Sequence, residues 1–158
     1  MKSGTQGDGT LAPVLVFLLW LSRHRINIAL TTARRAKVNI LPMPKDTLTI
    51  DDRPGSRPGQ RVLGLNGALV MTTVFDFQSM VRADQSQSLI LDFTNVPYVD
   101  SAGIGALVGA YVTRQNNGRS LALVGVNDRI HAALKTTQVE KFFRFFDSVN
   151  AAEQASAA

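Results

Sequence analysis

The distribution of apolar and polar positions changes character near residue 45. Upstream, apolar residues fall in one block, Leu11 to Leu21 (LAPVLVFLLWL). Downstream they recur at the short periods of strands and helices. Leu48 to Asp51 and Arg61 to Leu65 predict strands. Between them Pro54-Gly55-Ser56-Arg57-Pro58-Gly59 forces a turn, so the two are expected to pair antiparallel. Asn66-Gly67 ends the second strand. Thr73, with Asp76 three residues on, predicts a capping-box-like helix start with Val74, Phe77 and Val81 on one face and an end near Ala83.

Ser88 to Phe93 (SLILDF) is a continuous apolar run, as a central strand covered on both faces requires. The clearest helix follows: Ile104, Leu107, Val108, Tyr111 and Val112 keep i, i+3, i+4, i+7, i+8 spacing, and Asn117-Gly118 supplies the stop. That stripe is expected to face the sheet. Ser120 to Val126 predicts another buried strand, Asn127 or Asp128 caps a helix through Ile130, Ala133 and Leu134, and Phe143 to Val149 predicts a final strand. Strands alternating with helices of this length give an α/β domain, a mixed sheet packed with about four helices. The organisation expected is a leader over 1–43, one domain over 44–150 and an alanine-rich tail, compatible with helix, over 151–158.

Composition sharpens this picture in three places. With 45% hydrophobic and 18% charged residues the 158-residue chain is globular. The absence of cysteine excludes disulfides, a thiol nucleophile and thiolate metal sites, and is compatible with a reducing cytoplasm. His24 and His131 have no acidic or histidine neighbour at ligand spacing, so no metal site is expected. The net charge of +5 belongs to residues 1–42, which hold six basic residues against Asp8, whereas residues 43–158 hold 11 of each sign. A basic nucleic-acid groove on the domain therefore loses its support.

The apolar block of the leader contains Pro13 and is too short for a bilayer, which needs about 20 residues. It has signal-peptide length, but the positive charge follows the block instead of preceding it. Three readings stay open: an upstream extension whose true start is Met43, a peripheral anchor, or an unusual export signal. The first is preferred. N-terminal peptide mapping is expected to begin near Met43, and abundant native peptides from residues 2–37 would exclude that reading.

The candidate chemistry lies in Asp92 to Tyr111, DFTNVPYVDSAGIGALVGAY. A buried strand ends, a loop carries Val96, Pro97, Tyr98 and Val99, and Asp100-Ser101 stands before the helix, where either residue can accept from free backbone N–H groups. Gly103 and Gly105 each cost about 1 kcal/mol against alanine inside a helix, so close approach of another backbone, or tight packing on the sheet, is expected there. Gly103, Gly105 and Gly109 follow GxGxxxG and not the GxGxxG of dinucleotide binding. Ser101 can be a mere cap, or a hydroxyl open to phosphorylation, whose added charge of roughly −1.5 to −2 would meet the positive end of the helix dipole. No base is placed to activate it: His131 has no evident acidic orienter and the surroundings are not GxSxG, so no catalytic residue is assigned.

The segment Val99-Asp100-Ser101-Ala102-Gly103-Ile104-Gly105 resembles the STAS domain family, and within it the bacterial anti-sigma factor antagonists. The likeness continues through Val124 to Val126, Asn127, Arg129, Leu134, Val139 and Phe142. It implies partner switching in the cytoplasm. An anti-sigma factor that doubles as a serine kinase would phosphorylate Ser101, using its own ATP, so that this chain needs no cofactor. The unphosphorylated protein would bind that partner and free a sigma factor, and a PP2C-type phosphatase would reset the cycle. By position, Asp100, Ser101, Ala102, Gly103, Ile104, Gly105 and Leu69 would form the partner-binding surface, with Gly103 and Gly105 letting the kinase approach. Many antagonists carry a Gly-Glu-(Leu/Ile)-Asp turn that helps kinase recognition; here it reads Gly67-Ala68-Leu69-Val70, without either acid. The alternative is a constitutive STAS interaction subunit of a larger assembly, for instance a membrane transport complex, in which Ser101 is not phosphorylated.

Overall fold

The computed structural model of the protein describes residues 46–155, and the expectations for the leader lie outside the described residues. In chain order the elements are β1 (Thr49–Pro54), β2 (Gln60–Asn66), α1 (Val74–Ala83), β3 (Ser88–Asn95), α2 (Ser101–Asn116), β4 (Ser120–Val124), α3 (Asp128–Thr136), a single 3₁₀ turn (Glu140–Phe142), β5 (Arg144–Phe146) and α4 (Val149–Ala155). One sheet runs β1-β2-β3-β4-β5 in spatial order as in sequence. The first pair is antiparallel, and β2 to β5 are parallel. This is the mixed α/β architecture expected. Among the described residues no helix is long and apolar enough to cross a membrane.

The sheet sorts its side chains by strand alternation. Val62, Ile90, Ala122 and Val124 share one face and form a cluster closed by Ala152, with Phe146 and Val149 packed against it. Helix α4 therefore covers this face, and within the alanine-rich segment Ala152 and Glu153 are buried. Leu63, Leu65, Leu89, Leu91, Phe93, Leu121 and Leu123 fall on the opposite face, all buried. A right-handed crossover at each parallel step puts α1 and α2 on that same face. Phe77 of α1, Leu107 of α2 and Ile130 and Leu134 of α3 are buried as well.

Three local expectations change, and the open choice of cap for α3 is decided. Thr73 does not cap α1 with its side chain. Its hydroxyl instead accepts from the Val70 N–H (3.0 Å) and donates to the Ala68 carbonyl (2.8 Å), so it fastens the preceding loop. On α2 the buried residues are Gly103, Ile104, Ala106, Leu107, Ala110 and Arg114, while Val108, Tyr111 and Val112 are only half-buried. The buried face is set by small residues, and Tyr111 turns aside to meet Phe142 and Phe143 at 5.6 and 5.8 Å between ring centroids. Asn127, not Asp128, caps α3. The strand expected over 143–149 is only Arg144–Phe146, because the 3₁₀ turn precedes it and α4 begins at Val149.

Arg114 is the charged exception inside this face. Its guanidinium donates to Asp84 Oδ2 at 2.6 Å, to the Ser86 carbonyl at 2.8 Å and to the Ser120 carbonyl at 2.9 Å. Burial pushes the group below the ordinary guanidinium pKa, and the Asp84 bond opposes that shift. Helix α2 is thus pinned at its end to the entries of β3 and β4. Asp84→Ala is expected to lower the unfolding free energy by about 3–5 kcal/mol, since it strands a buried cation; urea denaturation followed by circular dichroism measures it.

Candidate functional site

The site is built where the loops after β2 and β3 lie side by side. Asn66-Gly67 and the loop after Asn95 leave parallel neighbouring strands, so both loops emerge at one edge of the sheet. Leu69 and Val99 form an isolated parallel bridge there. The Leu69 N–H donates to the Tyr98 carbonyl and the Asp100 N–H to the Leu69 carbonyl, both at 3.3 Å. From the far side Asn127, while capping α3 with Oδ1, donates from Nδ2 to the Val96 carbonyl at 2.8 Å.

Asp100 closes the arrangement. One carboxylate oxygen accepts from the Gly103 N–H at 2.8 Å and so caps α2; the other accepts from the Met71 N–H at 2.9 Å. The cap assigned between Asp100 and Ser101 is therefore Asp100, and it joins α2 to the β2–α1 loop. Ser101 is the first helical residue, exposed, and its hydroxyl makes no hydrogen bond within the described residues. Nearby, Tyr98 donates to Asp46 Oδ1 at 2.8 Å, a bond that raises the phenol above its usual pKa, and the Arg129 guanidinium lies 5.2 Å above its ring.

The residues expected to meet a partner divide into two groups. Ser101 and Gly105 are exposed, and Asp100 and Ala102 are half-buried. Gly103, Ile104 and Leu69 are buried, and Leu69 has 0% exposure, so these three support the surface from beneath and do not form it. The reason for Gly103 is internal: a β-carbon there would stand 2.2 Å from the Leu69 carbonyl oxygen. At Gly105 a β-carbon would meet nothing within 4 Å, so of these two glycines Gly105 alone borders open space.

Two further findings revise the reading from sequence. Ala68 and Val70 are buried, so the turn that carries acids in many antagonists points apolar side chains inward here. The residues exposed just after it are Met71, whose N–H meets Asp100, then Thr72 and, in the first turn of α1, Phe75. Met71 and Phe75 lie off the Val74, Phe77, Val81 face, a departure from amphipathic spacing that was visible in the sequence. His131 does have an acidic partner, Glu140 Oε1 at 2.9 Å from Nε2, with Phe145 against its ring. The pair became neighbours only when the 3₁₀ turn folded back on α3.

Gly103→Ala is expected to cost about 1–3 kcal/mol because the Leu69 backbone must shift. Gly105→Ala, with free space around it, is expected to stabilise the helix by up to about 1 kcal/mol. Paired urea melts distinguish the two.

A STAS domain family model matches residues 55–152. An anti-sigma-B factor antagonist of Staphylococcus aureus is 30% identical over 76 residues, covering 46% of this chain and 70% of the relative. Among solved structures, an anti-sigma factor antagonist from Mycobacterium paratuberculosis superposes with a TM-score of 0.64 at 19% identity, covering 73% of this chain and 98% of that one. The Bacillus cell fate determinant SpoIIAA in its phosphorylated form gives 0.54 at 12% identity over 69% and 99%. A sulfate transporter family protein from Wolinella succinogenes gives 0.57 at 23% identity over 63% and 85%. At these identities the structural likenesses show the fold alone. With the family match spanning most of the described chain, and a named antagonist among its relatives, the protein belongs to the STAS domain family.

Proposed function

We propose that this protein is an anti-sigma factor antagonist, binding an anti-sigma factor that is also a serine kinase and releasing a sigma factor, and that phosphorylation of Ser101 switches it off. The observation that carries the reading is the contrast at the head of α2: an exposed Ser101 hydroxyl with no partner within the described residues, between a fastened Asp100 and bonded N–H groups at Gly103 and Ile104. A phosphoryl group there meets the positive end of a 16-residue helix, so the fold tolerates it. The Asp100 carboxylate beside it makes the modified spot doubly acidic. Met71 and Phe75 give the rest of the surface an apolar character, and a partner seated on apolar groups is repelled by the new charge.

The ATP is the kinase's, a PP2C-type phosphatase restores the hydroxyl, and the cycle runs in the cytoplasm. The chain contributes a docking surface and no catalytic group. The names of its relatives support this reading. A constitutive subunit of a membrane transport complex draws support only from the transporter-family likeness, which concerns the fold.

The cognate anti-sigma factor, recovered with the protein from its native cells, tests the switch by titration calorimetry. Ser101→Ala is expected to bind like the wild type, and Ser101→Asp to stay folded yet lose at least tenfold in affinity, about 1.4 kcal/mol. Equal binding by the two variants defeats the proposal. Phosphopeptide mapping of residues 83–114 is expected to find the phosphate on Ser101.

A further inference from the structure

Helix α1 turns a second face to solvent. Phe75, Asp76, Ser79, Arg82 and Ala83 are all exposed and fall within about 120° of the helix circumference. Phe75 is 68% exposed and Met71, four residues before it, 62%; they are the exposed large apolar residues among those described. One open apolar side chain means little by itself. What sets this face apart is its symmetry about Ser79: Phe75 and Ala83 stand four residues to either side, Asp76 and Arg82 three.

We infer that this face joins two copies of the chain in an antiparallel, two-fold dimer, which covers Phe75 and Gly105 and so excludes the partner of the proposed function while it lasts. With the axis at Ser79, Asp76 comes level with Arg82 of the second copy, and Phe75 lies against the stem of that same arginine and beside Ala83. Symmetry makes each contact twice. The small Ser79 side chains let the helices close at the crossing. Among the described residues neither Asp76 nor Arg82 has an ion-pair partner, and Arg82 donates to the neutral Gln78 Oε1 at 3.2 Å. Beside α1, a groove lined by Gln78, Arg82, Gly105 and Gly109 continues the face onto α2. A β-carbon at either glycine would meet nothing within 4 Å, so the second copy's layer can settle there. The helix dipole accounts for the signs of Asp76 and Arg82; it accounts neither for the open Phe75 nor for glycine at two roomy helical positions.

Sedimentation equilibrium of the full chain, from about 1 µM to about 1 mM at low salt, tests this. A monomer–dimer equilibrium is expected. Asp76→Arg and Arg82→Asp should each raise the dissociation constant at least tenfold, because like charges then face each other. An equimolar mixture of these two variants should associate again, since each supplies the charge the other lacks. Gly109→Gln should weaken the dimer without lowering the thermal midpoint. A monomer throughout the range overturns the inference, and so does association that ignores both charge reversals or a mixture that fails to recover.

Discussion

The Leu69 carbonyl occupies the space that a side chain at position 103 would need, and the chemistry proposed for the head of α2 depends on that close approach. Because Gly103 has no β-carbon, the β2–α1 loop can press against the first turn of α2. The Asp100 carboxylate then spans the contact, bonded to one N–H on each side. Both oxygens are committed, and the neighbouring serine hydroxyl is left over. A rigid frame with one free nucleophilic oxygen at its rim can be modified without being remodelled.

The far end of α2 is held with equal firmness by different means. There Arg114 reaches carbonyls and a carboxylate contributed by residues 84, 86 and 120, and the ion pair is buried. Such a pair costs desolvation, and its value lies in fixing geometry when every donor finds an acceptor. Fastened at both ends, α2 presents four of its exposed positions, Ser101, Gly105, Gly109 and Thr113, four residues apart along one line. A charge introduced at Ser101 is therefore an event on a fixed surface.

That surface differs in character from the acidic turn expected of many antagonists. Ala68 and Val70 face inward, Thr73 bonds the loop instead of capping α1, and Met71 and Phe75 are left outside. In the proposed function, recognition beside Ser101 would rest on apolar contact, which discriminates poorly among partners until a charge is added or taken away. Of Met71 and Phe75, Phe75 also belongs to the α1 face inferred to self-associate, which carries its own complementary charges.

Much of this was legible in the sequence. Strand alternation, the turn between β1 and β2, the helix beginning at Asp100-Ser101 and the exposed serine at its head all follow from local periodicity and capping chemistry, which act over a few residues. The local pattern also showed that two glycines near one helix start needed a reason. It could not say that they needed different reasons, because the atom facing Gly103 belongs to Leu69, 34 positions earlier, and the space beside Gly105 is defined by what does not pack there. Nor could it seat Leu69 beneath the surface, pair His131 with Glu140, or bury Arg114 against Asp84. These outcomes depend on which loops the parallel register of β2, β3 and β4 brings together, and contacts between distant segments are decided only when the sheet forms.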